Sequence, residues 1–199
     1  MSAPLAPFAT EDTIIQAILR DDMEAVNKFI ASDLNLNTEY YEIINIDKIW
    51  CVKSYYKRDT HRNTALMYAA NYGKLAIVKR LLEAGADPNK QNLQQHTALT
   101  LCNKHTEVFK ALLESKANPN IKTFQGNTAL IYSLMTRNLE HVKLLLAHGA
   151  DASITNDLGL SAAFYAQDAG QEFVALLTQN GQQSHVDTHS QRTKIQQED

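Results

Sequence analysis

From residue 64 onward the apolar positions fall into blocks with a helical period. Leu66, Ala69 and Ala70 make a narrow stripe at i, i+3, i+4 composed mainly of small side chains. Beyond Tyr72-Gly73, a bulkier stripe of Ile77, Val78, Leu81 and Leu82 repeats the spacing. This spacing predicts two short helices broken at Tyr72-Gly73. Thr64 suits the N-cap of the first, since its hydroxyl can accept from backbone N–H groups of the first turn. Gly85 stands where the second helix must end and accepts the left-handed C′ conformation at little steric cost. Small residues let the first helix stack closely and large ones on the second fill an outer layer, so such a pair cannot bury its faces without neighbours.

The unit recurs. Thr64-Ala65-Leu66 returns at Thr97-Ala98-Leu99, at Thr128-Ala129-Leu130 and, more weakly, at Ser161-Ala162-Ala163. The segment from Leu81 to Asn89 (LLEAGADPN) is echoed by Leu112 to Asn120 (LLESKANPN) and by Leu145 to Asp151 (LLAHGAD). A period near 33 residues marks stacked supersecondary units, and these residues resemble the ankyrin repeat family, whose signature is Thr-Pro-Leu-His-x-Ala. Here the tetrapeptides read TALM, TALT, TALI and SAAF, with Met67, Thr100, Ile131 and Phe164 in place of His. The Thr–His hydrogen bond typical of the family is therefore not expected, which lowers the expected stability and leaves the topology alone. The resemblance implies an all-α repeat fold, an α-solenoid, with an ankyrin-type stack of helix pairs and protruding loops.

A degenerate copy precedes these four. Asp12 to Asn37 aligns with Thr64 to Asn89 at a constant offset, pairing Ala17 with Ala69, Val26 with Val78, Phe29 with Leu81 and Ile30 with Leu82, with Asp12 as its expected N-cap. The expected organisation is one domain over residues 1–181: a degenerate repeat 12–37, an insertion 38–58, and repeats 59–91, 92–122, 123–155 and 156–181. A polar tail, 182–199, has one Val and one Ile and is expected to be disordered. Arg20, Asp21, Asp22 and Lys28 in the first copy, and Gln167, Asp168, Gln171, Glu172 and Gln179 in the last, give both ends the polar outer face of a capping repeat.

Two departures stand out. The insertion (TEYYEIINIDKIWCVKSYYKR) carries four tyrosines, the only tryptophan and four isoleucines, a composition that favours strand. It is read as an enlarged β-hairpin finger turning near Asn45 to Lys48. Its Tyr40, Tyr41, Trp50, Tyr55 and Tyr56 are candidate contacts, because Tyr and Trp dominate interface hot spots; the alternative is that the hairpin packs on the first repeats. Lys48, Lys53, Lys57 and Arg58 form a local basic cluster read as a solvated edge. In the third copy about two residues are missing after Leu101, so its first helix should be a turn shorter or distorted and open a local notch around Cys102 to His105; the alternative is a deletion simply tolerated at a helix–helix turn.

Composition narrows the function. Of 199 residues, 44% are apolar and 21% charged, and 19 basic against 22 acidic side chains leave a net charge of −3. That balance opposes a generic nucleic-acid binder, which clusters Lys and Arg against phosphate. Cys51 and Cys102 are too few for a disulfide framework and read as two free thiols in a reducing compartment. The N-terminus lacks a secretory signal pattern and no run of 18 apolar residues occurs, so a cytoplasmic protein that spans no membrane is expected, signal-independent delivery elsewhere being left open. The seven histidines never pair at i, i+4 around a Glu, and no CxxC, GxxxxGK[ST], GxSxG or GxGxxG occurs. Cys102 with His105, and His185 with His189, are weak pairs, and His141 and His148 are expected at the solvent edge. No enzyme, cofactor or metal is expected.

Resemblance to ankyrin proteins implies a non-catalytic protein–protein interaction module, a monomer when free, whose partner is another protein. The alternatives are an inhibitor or immunity-type protein that occludes an enzyme or toxin, or a structural spacer. Positions around each Thr that the fold does not need are the candidate contacts: His61, Asn63, Asn71, Tyr72, Leu93, Gln94, His96, Lys104, Phe124, Gln125, Asn127, Met135, Thr136, Arg137, Asp157, Leu158 and Leu160. Leu93, Phe124, Met135 and Leu158 would be unusual on a pure scaffold and with Tyr72 suggest an apolar stripe. Stripe and finger together are expected to form one interface on the concave face, burying about 800 Å² on this side.

Overall fold

The computed structural model describes residues 11–32, 36–37, 39–40 and 62–180. These fall into two compact units, one within residues 1–118 and one within 119–199. In the first, three helix pairs follow one another: α1 (Glu11–Arg20) with α2 (Met23–Ile30), α3 (Ala65–Asn71) with α4 (Leu75–Glu83), and α5 (Ala98–Leu101) with α6 (Thr106–Glu114). One layer runs α1–α3–α5 and the other α2–α4–α6. In the second unit α7 (Ala129–Met135) packs on α8 (Leu139–Ala147) and on α9 (Ala162–Ala169), and residues 171–180 are again helical. The all-α repeat architecture is thus present in each unit.

Helix starts follow the Thr positions. The hydroxyls of Thr64, Thr97 and Thr128 accept from the N–H groups of Met67, Thr100 and Ile131 at 3.3, 3.4 and 3.4 Å. The residues replacing the family's His partly restore the reciprocal bond, since Thr64 N–H donates to Met67 Sδ at 3.4 Å and Thr97 N–H to Thr100 Oγ1 at 3.0 Å. Ser161 is also an N-cap but makes no side-chain cap bond. Asp12 is not the N-cap of α1, because that helix begins one residue earlier, at Glu11. The N-cap aspartate of the first copy is Asp22, which accepts from Ala25 N–H at 3.0 Å and starts α2.

The stripe on the first helix is wider than its small residues imply. Every side chain from Ala65 to Ala70 is buried, Tyr68 included, because α3 is enclosed by α1, α4 and α5. Ile77, Val78 and Leu81 complete this core from the second layer, with Leu82 half-buried. The outer residues assigned to the caps are exposed: Arg20, Asp21, Asp22 and Lys28 in the first copy, and Gln167, Asp168, Gln171, Glu172 and Gln179 in the last.

Second helices end in one motif. Gly85 (φ 92°) donates to Leu82 O and Ala86 to Leu81 O, and Gly149 (φ 79°) and Ala150 do the same to Leu146 O and Leu145 O. Lys116 takes this place in the third copy at φ 65°, with the same bonds from Lys116 and Ala117 to Leu113 O and Leu112 O. The loops that follow are tied in series by asparagines. Asn37 accepts from Asp87 N–H at 2.8 Å, Asn89 from Asn118 N–H at 2.7 Å and, in the second unit, Asn120 from Asp151 N–H at 2.8 Å. The bond at Asn37 places the degenerate first copy in the same register as the others.

Helix α5 has four residues where α3 and α7 have seven, as the deletion predicts. The notch expected around Cys102 to His105 is not open, however. Cys102 is fully buried and its thiol donates to Leu99 O at 3.4 Å, while the His105 ring lies so close to Gly73 that an added Cβ there would come within 2.5 Å of it. Of the insertion read as a finger, only Glu39 and Tyr40 are described. β1 (Glu39–Tyr40) runs antiparallel to β2 (Asn63–Thr64), with Glu39 opposite Thr64 and Tyr40 opposite Asn63. Residues 41–61, including the proposed turn at Asn45 to Lys48, lie outside the described residues.

Candidate binding surface

Two asparagines, each five residues before an N-cap, shape the loops ahead of Thr97 and Ser161. Asn92 accepts from the N–H groups of Gln94 and His96 at 3.0 and 2.9 Å, and Asn156 from those of Leu158 and Leu160 at 3.1 and 3.0 Å. Between them, Thr123 N–H and Oγ1 donate to Asn127 O at 2.9 and 3.2 Å. The bonds close each loop around its backbone and leave the side chains at the tip outside. Leu93 is 56%, Phe124 72% and Leu158 78% exposed. Two residues before each N-cap the chain turns left-handed, at Arg62, Gln95, Gly126 and Gly159.

Neighbouring loops are stitched together. Asn92 Nδ2 donates to Asn63 Oδ1 at 2.7 Å, and Asn156 Nδ2 donates to Asn127 Oδ1 at 3.0 Å and to the Tyr165 hydroxyl at 2.9 Å. Asp157 N–H reaches Gln125 O at 3.2 Å over Gly126, where a Cβ would fall 2.6 Å from the Asp157 nitrogen. Asn127 is therefore buried and belongs to the fold, contrary to its expected place among the free positions, because its amide bridges two loops. Asn63 has the same bridging task and is half-buried, and His96 Nδ1 lies 3.1 Å from Thr100 Oγ1. Leu160 is half-buried as well.

Other expected positions lie at helix ends. Tyr72 caps α3 and is 42% exposed beside exposed Asn71, and Met135 ends α7 at 53%. Thr136 bonds back to Tyr132 O and Ser133 O, and exposed Arg137 lies 3.5 Å from Asp168 in an ion pair that water screens. Lys104, Gln94, Gln125 and Asp157 are exposed. The backbone of Tyr40 is in β1, while Tyr41, Trp50, Tyr55, Tyr56 and His61, with the basic cluster Lys48, Lys53, Lys57 and Arg58, lie outside the described residues, as do His185 and His189. One exposed aromatic was not anticipated. Phe164, 53% exposed and edge-on to Tyr165 at 5.4 Å, aligns with Met67, Thr100 and Ile131, all buried. Its repeat position is legible in the sequence, three residues after Ser161 as Met67 is after Thr64.

Burial pushes the Cys102 thiol far above its ordinary range, so its thiolate form is strongly disfavoured in the folded protein. Among the described residues, no group of three His, Cys, Asp or Glu could hold a metal ion, and no helix is long and apolar enough to cross a membrane. His148 is exposed as expected, but His141 is completely buried. It occupies the position of Ile77 and Val108 in the earlier copies, and desolvation holds its imidazole below the ordinary histidine value despite the attraction of Glu140.

A family model described as "Ankyrin repeats (3 copies)" matches residues 12–123 and 101–188. No curated protein matches the chain.

Proposed function

Because the chain belongs to the ankyrin repeat family, whose repeats are generally protein–protein interaction modules, we propose that it is a non-catalytic binding module for another protein. One observation carries the reading: large apolar side chains at Leu93, Phe124 and Leu158 project from loops whose backbones are fixed by internal hydrogen bonds. An exposed apolar tip contributes nothing to the core, whereas on a rigid loop it can bury against a partner with little further loss of conformational freedom. Tyr72 and Met135 extend the same character to the helix ends. A spacer would need none of these side chains, and polar tips would serve it better.

The test is affinity capture from native lysate with the wild-type chain and a Tyr72→Ala/Phe124→Ala/Leu158→Ala variant, captured proteins being compared by mass spectrometry. The variant should keep its helical circular dichroism and lose a protein that the wild type retains. Identical capture by both would overturn the proposal. Trp50→Ala in a separate arm reads whether the insertion contributes.

A further inference from the structure

The last described helical stretch, residues 171–180, ends on a half-buried asparagine. Its side chain is turned back along the helix, Asn180 Nδ2 donating to Leu176 O at 2.9 Å, four residues earlier. The next residue is Gly181, and this is the one Asn-Gly pair in the sequence. The repeat itself creates it. Aligning Leu177 with Leu81 and Leu145 sets Gly181 in the sequence place of Gly85 and Gly149, so Asn180 stands where the earlier copies have Ala84 and His148. We propose that Asn180 is a self-modification site: it deamidates slowly while its helix is closed and faster once the helix opens, and the product loosens the helix end.

The reaction needs only water besides the chain's own atoms. The backbone nitrogen of Gly181 attacks Asn180 Cγ; the N–Cγ bond forms, the Cγ–Nδ2 bond breaks, and the Gly181 proton departs on Nδ2 as ammonia. Water then opens the resulting succinimide. Addition at the Cγ carbonyl leaves an aspartate in the original chain, and addition at the main-chain carbonyl leaves an isoaspartate whose chain runs through Cγ. Glycine favours the step because it has no Cβ to crowd the attacking nitrogen. The folded geometry opposes it. Attack requires Cγ to come within about 3–3.5 Å of the next residue's nitrogen, whereas the bond to Leu176 O directs the amide towards the preceding turn, the way helical side chains lean. The product then acts on the helix. A carboxylate cannot donate to Leu176 O, so that bond is replaced by repulsion between oxygens, and a negative charge at a helix C-terminus opposes the macrodipole. The same turn carries half-buried Leu176 and Leu177. Conversion therefore leaves a chain whose last helix opens more readily, and no step restores the amide.

The test ages the full chain in mildly alkaline buffer, folded and in urea, and follows peptides spanning 180–181 by mass spectrometry, with fragmentation to place the isoaspartate. Conversion in the folded chain should be slower than in urea by about tenfold or more, because it waits for local opening. Gly181→Val should suppress it in urea, where folding plays no part. Asn180→Asp, which imitates one product, should lower the midpoint of thermal unfolding by about 2 °C or more. Gln179→Glu adds the same charge at an exposed neighbour without touching the bond to Leu176 O and should lower it by less. Equal rates in folded and unfolded chain, no conversion at Asn180 in urea, or an Asn180→Asp variant no less stable than Gln179→Glu would each overturn the proposal.

Discussion

Replacing Lys116 with glycine should stabilise the protein, although it deletes a whole side chain. Lys116 sits at φ 65° in the motif that ends α6, with its N–H bonded to Leu113 O and that of Ala117 to Leu112 O. The motif is shared with Gly85 and Gly149, so the backbone geometry demanded of Lys116 is one its siblings meet with glycine. A left-handed residue with a Cβ costs about 1–2 kcal/mol, and glycine loses about 0.5–1 kcal/mol more conformational freedom on folding. The difference is a net gain of about 0.5–1 kcal/mol, since the lysine side chain is exposed. For a chain of this size that raises the midpoint of thermal unfolding by about 1–4 °C. The reciprocal change, Gly85→Lys, isolates the same term: a Cβ there meets no described atom within 4 Å, so only the strain at φ 92° opposes it. Calorimetry on both variants decides. A neutral or destabilising Lys116→Gly, or a harmless Gly85→Lys, would refute the argument.

Two further outcomes follow from the loops and the core. Gly126→Ala combines left-handed strain at φ 72° with a collision against the Asp157 backbone, and should cost about 2 kcal/mol or more in urea unfolding, while Gly159→Ala, at φ 73° with open space around it, should cost about 1 kcal/mol; equal costs would contradict the interlocked loops. In a Cys51→Ser background, Cys102 should resist a thiol reagent at neutral pH until urea unfolds the chain, because it is fully buried and its thiolate is strongly disfavoured. Prompt native labelling would show that the short α5 leaves the deletion open after all.

Much of this fold is legible in the sequence because each copy repeats the same physical solution. The Thr caps, the Leu pair and Gly85 follow from recurrence and helix chemistry alone, and the shortened α5 follows from counting residues between copies. Errors arise where a residue type is judged apart from its repeat position. His141 reads as a surface histidine by chemistry but as a core residue once aligned with Ile77 and Val108. Asn127 reads as a free polar residue, and only the three-dimensional proximity of the next loop shows its amide joined to Asn156. Lys116 hides a glycine-like conformation because the backbone motif survives without the glycine. Among the exposed apolar residues, Leu93, Phe124, Met135 and Leu158 are legible because they fall outside both helical stripes, whereas Phe164 lies on a stripe that no described helix pair covers.

The claim at the centre is that the apolar tips are surplus to the fold. Urea unfolding of a Phe124→Ser/Met135→Ser/Leu158→Ser variant measures this directly, in the absence of any partner. The account predicts a stability within about 0.5 kcal/mol per site of the wild type, as for surface positions. A loss of about 2 kcal/mol or more per site, the size expected on truncating a core residue such as Leu130, would show that these side chains hold the structure together and are not available to bind another protein.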